Sequence, residues 1–255
     1  MKKKVCLITG GAGFLGRKYC EFFAKKNFTV LCIDNNKKNL KKINTLNLKN
    51  LIVYDCDITN HDNVEKLYKS ISKFFFVDVL INNAAIDAIP FKKNDIAQKF
   101  PTSKMWDREF DASLKSSFFM IKFFGEAMIK KKGGSIINIG SDLSVIAPNQ
   151  KIYRSSYASY IKPVTYAVIK HGMVGLTKYF SSLYGEKNVR VNMVSPGPVK
   201  NKQNIKLLAE IENMTPMGRL GNPKDMVGLL FFLASDDSSY ITGQNILVDG
   251  GKTII

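Results

Sequence analysis

A chain of 255 residues, 45% hydrophobic and 23% charged, is long enough to bury a large core and has the composition of a soluble globular protein. No apolar run reaches the length of a membrane helix, because Phe74-Phe75-Phe76-Val77 is cut by Asp78. The net charge of +17 comes mainly from lysines spread along the chain with no block of arginine and aromatics, which speaks against a nucleic-acid partner and for anionic small molecules.

Cys6, Cys20, Cys32 and Cys56 show no C-x-x-C spacing and fall in apolar stretches, and His61 and His171 are the only histidines. Reduced thiols in a cytoplasm are expected, with no metal site and no disulfide framework. The basic start, Met1 to Lys4, is followed by too short an apolar run, Val5 to Ile8, for an export signal.

In chain order, strands are predicted at Val5–Ile8, Val30–Ile33, Leu51–Tyr54, Val79–Ile81, Ser135–Ile139, Val189–Val194 and Ile246–Val248. Several are continuous apolar runs, as strands buried on both faces require. Between them, Leu15, Tyr19, Phe22 and Phe23 fall at helical spacing, as do Val64, Leu67, Ile71 and Phe74. A later helix starts at Asn222-Pro223-Lys224-Asp225, with Asn at the N-cap, Pro in the first turn and Asp near the positive helix end. The alternation predicts a parallel sheet wrapped by helices, in one α/β domain over residues 1–255.

The first strand runs into Thr9-Gly10-Gly11-Ala12-Gly13-Phe14-Leu15-Gly16, where Gly11, Gly13 and Gly16 satisfy G-x-G-x-x-G between a strand and a helix. Glycines there permit a tight turn and close backbone approach to a pyrophosphate seated on a helix N-terminus. The second strand ends at Asp34, 18 residues past Gly16, where an acid binds a ribose 2′-hydroxyl. Asp34 would repel a 2′-phosphate, so NAD is favoured over NADP, with Lys37 and Lys38 the counter-indication.

Tyr166-Ala-Val-Ile-Lys170 puts a phenol and an ammonium on one helix face. A phenol titrates near about 10, too high for proton transfer at neutral pH, and an adjacent cation brings that value down. With 10 Tyr and 33 Lys in the chain, chance alone supplies about one such pair, and an amphipathic surface helix is the bland alternative.

Together these segments resemble the short-chain dehydrogenase/reductase superfamily, and the resemblance spans nearly the whole chain. It rests on the glycine turn and Tyr166/Lys170, on Asp57-Ile58-Thr59, Asn82-Asn83-Ala84-Ala85 and Asn138-Ile139-Gly140-Ser141, and on Ser195-Pro196-Gly197-Pro198-Val199. Pro216 to Gly221 and Tyr240 to Gly251 match the tail of the compact branch. The resemblance implies a doubly wound parallel sheet of about seven strands (a Rossmann fold), assembled as a homodimer or homotetramer. It implies cofactor contacts from Thr9, Gly10, Gly11, Gly13, Phe14, Leu15 and Gly16, from Asp34, Asp57 and Ile58, from Asn83, Ala84 and Ala85, and from Pro196, Gly197 and Val199. Tyr166 would exchange the substrate proton, Lys170 would lower its pKa and bind the nicotinamide ribose, and Ser141 would polarise the substrate oxygen; Ser144, Ser155 and Ser156 also lie upstream of the tyrosine.

Four departures stand out. Ser113 occupies the position of the family's helix asparagine in the proton relay, Phe14 replaces a glycine, and Asn201 stands where a threonine is usual. Ser141 and Tyr166 are 25 residues apart, the spacing of the extended sugar-nucleotide branch. The intervening segment carries Lys151, Tyr153, Arg154, Tyr157, Tyr160 and Lys162, aromatic faces and cations that suit a sugar bearing phosphate; packing on a neighbouring subunit is the competing explanation. The expectation is an NAD-linked oxidoreductase of a secondary alcohol, acting on a sugar phosphate or nucleotide-activated sugar, with Lys151, Tyr153, Arg154 and Tyr160 at the substrate. The insertion further resembles dehydrogenases of bacterial surface-glycan or flagellin-sugar synthesis. A 3-oxoacyl-thioester reductase and a non-catalytic dinucleotide-binding regulator are the rivals, the latter with Ser113 as its clue.

Overall fold

In the computed structural model, residues 3–86, 100–156 and 161–255 are described. Seven strands, β1 (Val5–Thr9), β2 (Thr29–Asp34), β3 (Leu51–Asp55), β4 (Val79–Asn82), β5 (Gly134–Ile139), β6 (Val189–Pro196) and β7 (Asn245–Val248), form one sheet. All neighbours are parallel, in the order β3-β2-β1-β4-β5-β6-β7. Every predicted strand is present, with ends shifted by one or two residues. The order reverses between β1 and β4, and at that switch point a doubly wound sheet opens a crevice beyond its strand ends.

Successive strand residues point to opposite faces, and both faces are covered. Cys6, Ile8, Val30, Cys32 and Ile81 pack with Tyr19, Cys20 and Phe23 of α1 (Phe14–Lys25) and with helix residues Met226, Leu230 and Leu233. Val5, Leu7, Leu31 and Leu80 face the other way, against Val64, Leu67 and Ile71 of α3 (His61–Ser72), which follows α2 (Lys37–Asn44). Phe74 was expected on that α3 stripe. The helix ends at Ser72, and Phe74 is 78% exposed.

The second face also takes a long helical segment built of α4 (Ser103–Phe110), α5 (Ser116–Met120) and α6 (Glu126–Lys130), joined by π-helical stretches at Asp111–Lys115 and Ile121–Gly125. After β5 come α7 (Gln150–Ser156) and α8 (Val164–Tyr184), and after β6 come α9 (Ile205–Asn213) and α10 (Pro223–Ala234). Asn222 caps α10 with Pro223 in the first turn, as the sequence predicted, and Asp225 completes a reciprocal capping box with it. Among the described residues no helix is long and apolar enough to cross a membrane, and the four cysteines are unpaired.

Leu80 lies fully buried on β4, beside the switch point. Leu80→Ala is expected to lower unfolding free energy by about 2–5 kcal/mol. The check is a fall in the urea midpoint with an unchanged m-value.

Candidate active site

The crevice is anchored by the end of β1. Thr9 Oγ1 accepts the backbone N–H groups of Asn83 (3.0 Å) and Ala84 (3.1 Å). Asn83 Nδ2 donates back to the carbonyls of Thr9 (3.0 Å) and Gly10 (3.1 Å). Gly10 turns the chain at φ +59°, a conformation that favours glycine. A Cβ on Gly16 would sit 2.1 Å from the Gly10 carbonyl oxygen, so only glycine lets α1 start this close to the turn.

Gly13 caps α1 without a side-chain acceptor, and no acid occupies the first turn, so the helix's positive end is left open to an anion. Asp34, at the end of β2, accepts Ala12 N–H on one carboxylate oxygen (3.0 Å) and Asn36 N–H on the other (2.9 Å). Each oxygen retains acceptor capacity for a ribose hydroxyl. This glycine cradle, the uncapped helix start and the acid fit a dinucleotide. Farther along, Asp57 and Ile58 border the crevice after β3, Ala84 and Ala85 after β4, Pro196 at the end of β6, and Gly197 and Val199 after it. Gly197 has no room for a Cβ, which would lie 2.7 Å from the Asp249 Cα.

The opposite end carries the proton-transfer groups. Tyr166 sits in the first turn of α8, and Lys170 one turn on is buried with its Nζ donating to the Ile139 carbonyl (3.1 Å). The Lys170 ammonium lies 5.5 Å from the Tyr166 ring centroid. A second buried ammonium, that of Lys162, lies closer, at 4.0 Å. Gln150 fixes that lysine's backbone from both sides, donating to its carbonyl (3.1 Å) and accepting its N–H (2.9 Å). Thr165, beside the tyrosine, donates its hydroxyl to the buried Glu109 carboxylate of α4.

Ser141 follows β5 and donates its hydroxyl to Asp142 (2.8 Å) while accepting Leu143 N–H (3.2 Å). Of the four candidate serines, Ser141 alone lines the cleft; Ser144 instead bonds Ser195 (3.2 Å) and Asn245 (3.0 Å). The cleft that joins both ends has a volume of about 1110 Å³.

Several expected residues lie elsewhere. Thr9, Gly11 and Gly16 stand behind the turn and shape it without lining the cleft. Ser113 is buried in the first π-helical stretch, away from the cleft walls, where its carbonyl accepts the Ser116 and Ser117 hydroxyls. In the inserted segment, α7 packs on α9 of the same chain through Ile152, Leu207 and Ile211. Tyr153 lines the cleft, whereas Lys151 and Arg154 face solvent; Tyr157 and Tyr160 lie outside the described residues. Asn201 also lines the cleft. Arg108, Lys202 and Lys252, which contribute cations to the wall, were not expected from the sequence, and Lys162 was expected only among the cations of the inserted segment, not against the tyrosine ring. The Cys56 thiol at the cleft edge is pushed up to about 11 by burial and by the charges of Asp57 and Asp55, so it is not a thiolate at neutral pH.

A profile of the family described as Enoyl-(Acyl carrier protein) reductase matches residues 12–253. The NAD-dependent glycerol dehydrogenase of Listeria innocua is 31% identical over 98% of this chain and 94% of its own. The 3-oxoacyl-(acyl-carrier-protein) reductase FabG of Thermotoga maritima is 32% identical over 100% of this chain and 99% of its own. Among solved structures, a short-chain dehydrogenase from Leptospira borgpetersenii with bound NAD+ superposes with a TM-score of 0.85, at 29% identity, covering 99% of this chain and 94% of the other.

Gly16→Ala is expected to abolish dinucleotide binding, because its methyl would strike backbone atoms of the turn. Titration of the variant with NADH, followed by nucleotide fluorescence, should show no saturation where the parent protein saturates.

Proposed function

The chain belongs to the short-chain dehydrogenase/reductase family, NAD(P)-dependent oxidoreductases acting on CH–OH groups, and we propose that it uses NAD to interconvert a secondary alcohol and a ketone on a small anionic sugar derivative. The observation that carries the reading is Tyr166 standing in the cleft with two buried ammoniums against its ring, at the end opposite Asp34. The dinucleotide, when bound, supplies the hydride acceptor or donor. Tyr166 takes the hydroxyl proton in one direction and returns it in the other. Lys170, Lys162 and the positive end of α8 all favour its phenolate form. Ser141 holds the substrate oxygen beside it.

The Asp34 carboxylate, whose charge opposes a 2′-phosphate, supports NAD over NADP. The cleft residues around it, Asn35, Asn36 and Asn39, are uncharged, and the Lys37 ammonium lies 3.8 Å from Asp55. For the substrate, Tyr153 offers a ring face and Arg108, Lys162 and Lys202 offer positive charge, which suits a sugar phosphate or nucleotide-activated sugar. The Listeria relative, named for a polyol, supports this direction. A 3-oxoacyl-thioester reductase is the second reading, favoured by the Thermotoga relative and by a basic surface that would attract an acidic carrier. Unpaired cysteines fit a reducing cytoplasm. Trp106, Phe118, Tyr179 and Leu183, exposed on α4, α5 and α8, are proposed to be covered by copies of the same chain.

NAD reduction screened against sugar phosphates and nucleotide sugars should yield a substrate, and Tyr166→Phe should cut that turnover by roughly 100-fold or more with NADH binding unchanged. Persistent turnover would remove Tyr166 from its role, and faster NADPH oxidation by an acetoacetyl thioester would favour the second reading. Sedimentation should give a mass two or four times the 28.6 kDa of one chain; a monomer would count against self-association.

A further inference from the structure

Ser141 is held by an ion pair that the proton exchange itself does not require. Asp142 and Lys252 are both buried, their side chains 6% and 8% exposed, and the Lys252 ammonium binds the outer carboxylate oxygen of Asp142. The other oxygen accepts both the Ser141 hydroxyl (2.8 Å) and Leu143 N–H (3.0 Å). An ionised carboxylate only accepts, so the serine donates to it here, and to polarise the substrate oxygen that one proton has to rotate away from Asp142. Leu143 N–H meanwhile holds the serine oxygen from the other side (3.2 Å). The serine oxygen thus has its place fixed by two anchors, one of them a charge.

Lys252 reaches this position through a tightly turned tail. Gly250 and Gly251 both take positive φ, +67° and +86°. The Asp249 carboxylate ties the turn, accepting Gly251 N–H (3.0 Å), Thr253 N–H (2.9 Å) and the Thr253 hydroxyl (2.7 Å). Burial opposes ionisation of Asp249, but these hydrogen bonds outweigh it and hold its carboxyl below the usual range. Lys252 and Asp142 are 110 residues apart, and their buried pair ties the tail to the serine's neighbour. Taking two charges out of water is costly, and the return is a fixed geometry at the cleft wall, which Asp142, Ser141 and Lys252 all line.

We propose that Asp142 and Lys252 are positioning residues for Ser141, so that the C-terminal turn is part of the reaction site; this rests on the alcohol–ketone reading above. Removing either charge alone would strand the other, so the test uses the neutral pair Asp142→Asn/Lys252→Met. With the alcohol that gives fastest NAD reduction in the screen, kcat should fall roughly 10-fold to 100-fold, the scale of a misplaced reacting group, with NADH affinity unchanged and KM changing less than kcat. Placed on Ser141→Ala, the same pair should cost nothing further, because the group it acts through is gone. An unchanged kcat, or an equal extra loss on Ser141→Ala, would overturn the proposal.

Should the neutral pair fail to fold, Asp142→Glu keeps the charges and moves the carboxylate by one methylene, with the same pattern expected. A crystal structure of the variant with NADH needs no substrate. Ser141 Oγ should leave its place near Leu143 N–H, and an unmoved Oγ sinks the proposal even if the screen finds no alcohol. A screen without a substrate would instead count against the functional reading alone.

Discussion

Thr9 and Asn83 hold the switch point closed on itself. Each bonds the other's strand end: a hydroxyl takes two N–H groups from the β4 side, and an amide gives both its protons to the β1 side. Four hydrogen bonds between neighbouring parallel strands would be unremarkable along their length, but here they lie past the ladder, where backbone groups otherwise depend on water. The consequence reaches further than the two strands. The same Asn83 amide nitrogen lies 2.9 Å from where a Cβ of Gly16 would be, so the lock, the glycine and the start of α1 are one steric arrangement. With the turn fixed, Ala12 N–H meets Asp34, and the open end of α1 faces the crevice.

The cleft is polar in an asymmetric way. Its acids at the α1 end, Asp34 and Asp57, are engaged by backbone or hydroxyl donors and stay available to sugar hydroxyls. At the tyrosine end the acids are matched by cations: Asp142 by Lys252, and Asp111 by Lys115 (2.9 Å). Lys162 and Lys170 add positive charge to that half, and Arg108 and Lys202 add it to the cleft wall. Burying Lys162 and Lys170 has a desolvation cost, which their contacts with a carbonyl, a ring face and neighbouring groups must offset. Charges held at such a cost mark a site where geometry and field were favoured over stability, and they support an anionic substrate at that end.

Why some of this was legible in the sequence and some was not follows from the range of the forces involved. The inner strands could be placed because burial on both faces makes them largely apolar, the half-buried edge strands β3 and β7 still read as short apolar runs, and the Asn222 cap is a purely local interaction. The glycine turn was visible because steric exclusion leaves glycine alone at Gly10 and Gly16. Phe74 misled because its spacing continued the α3 stripe while the helix had already ended. Lys151 and Arg154 share α7 with Tyr153, but only the tyrosine side of that short helix meets the cleft, since Ile152 turns the helix onto α9. Lys252 and Arg108 were invisible for a different reason. Nothing local distinguishes a lysine after two glycines, or an arginine on an amphipathic helix, from the solvated charges around it; only the tertiary path brings them to the wall.

Lys162 is the instructive case, because its signal was present. It precedes Tyr166 by four residues, as Lys170 follows it by four, so the chain spells Lys-x-x-x-Tyr-x-x-x-Lys. Read as helix, that would be three side chains on one face and nothing more. Pro163, with φ −58° and ψ 142°, instead caps the start of α8 and leaves Lys162 ahead of the helix. Gln150 then clamps the lysine's backbone through both its polar groups, and α7 is held over α9 by Ile152. The long interval between Ser141 and Tyr166 therefore does more than enlarge a rim. It supplies the element that holds a second ammonium against the tyrosine ring, a contact that a direct connection from Ser141 to α8 would have no Gln150 to hold.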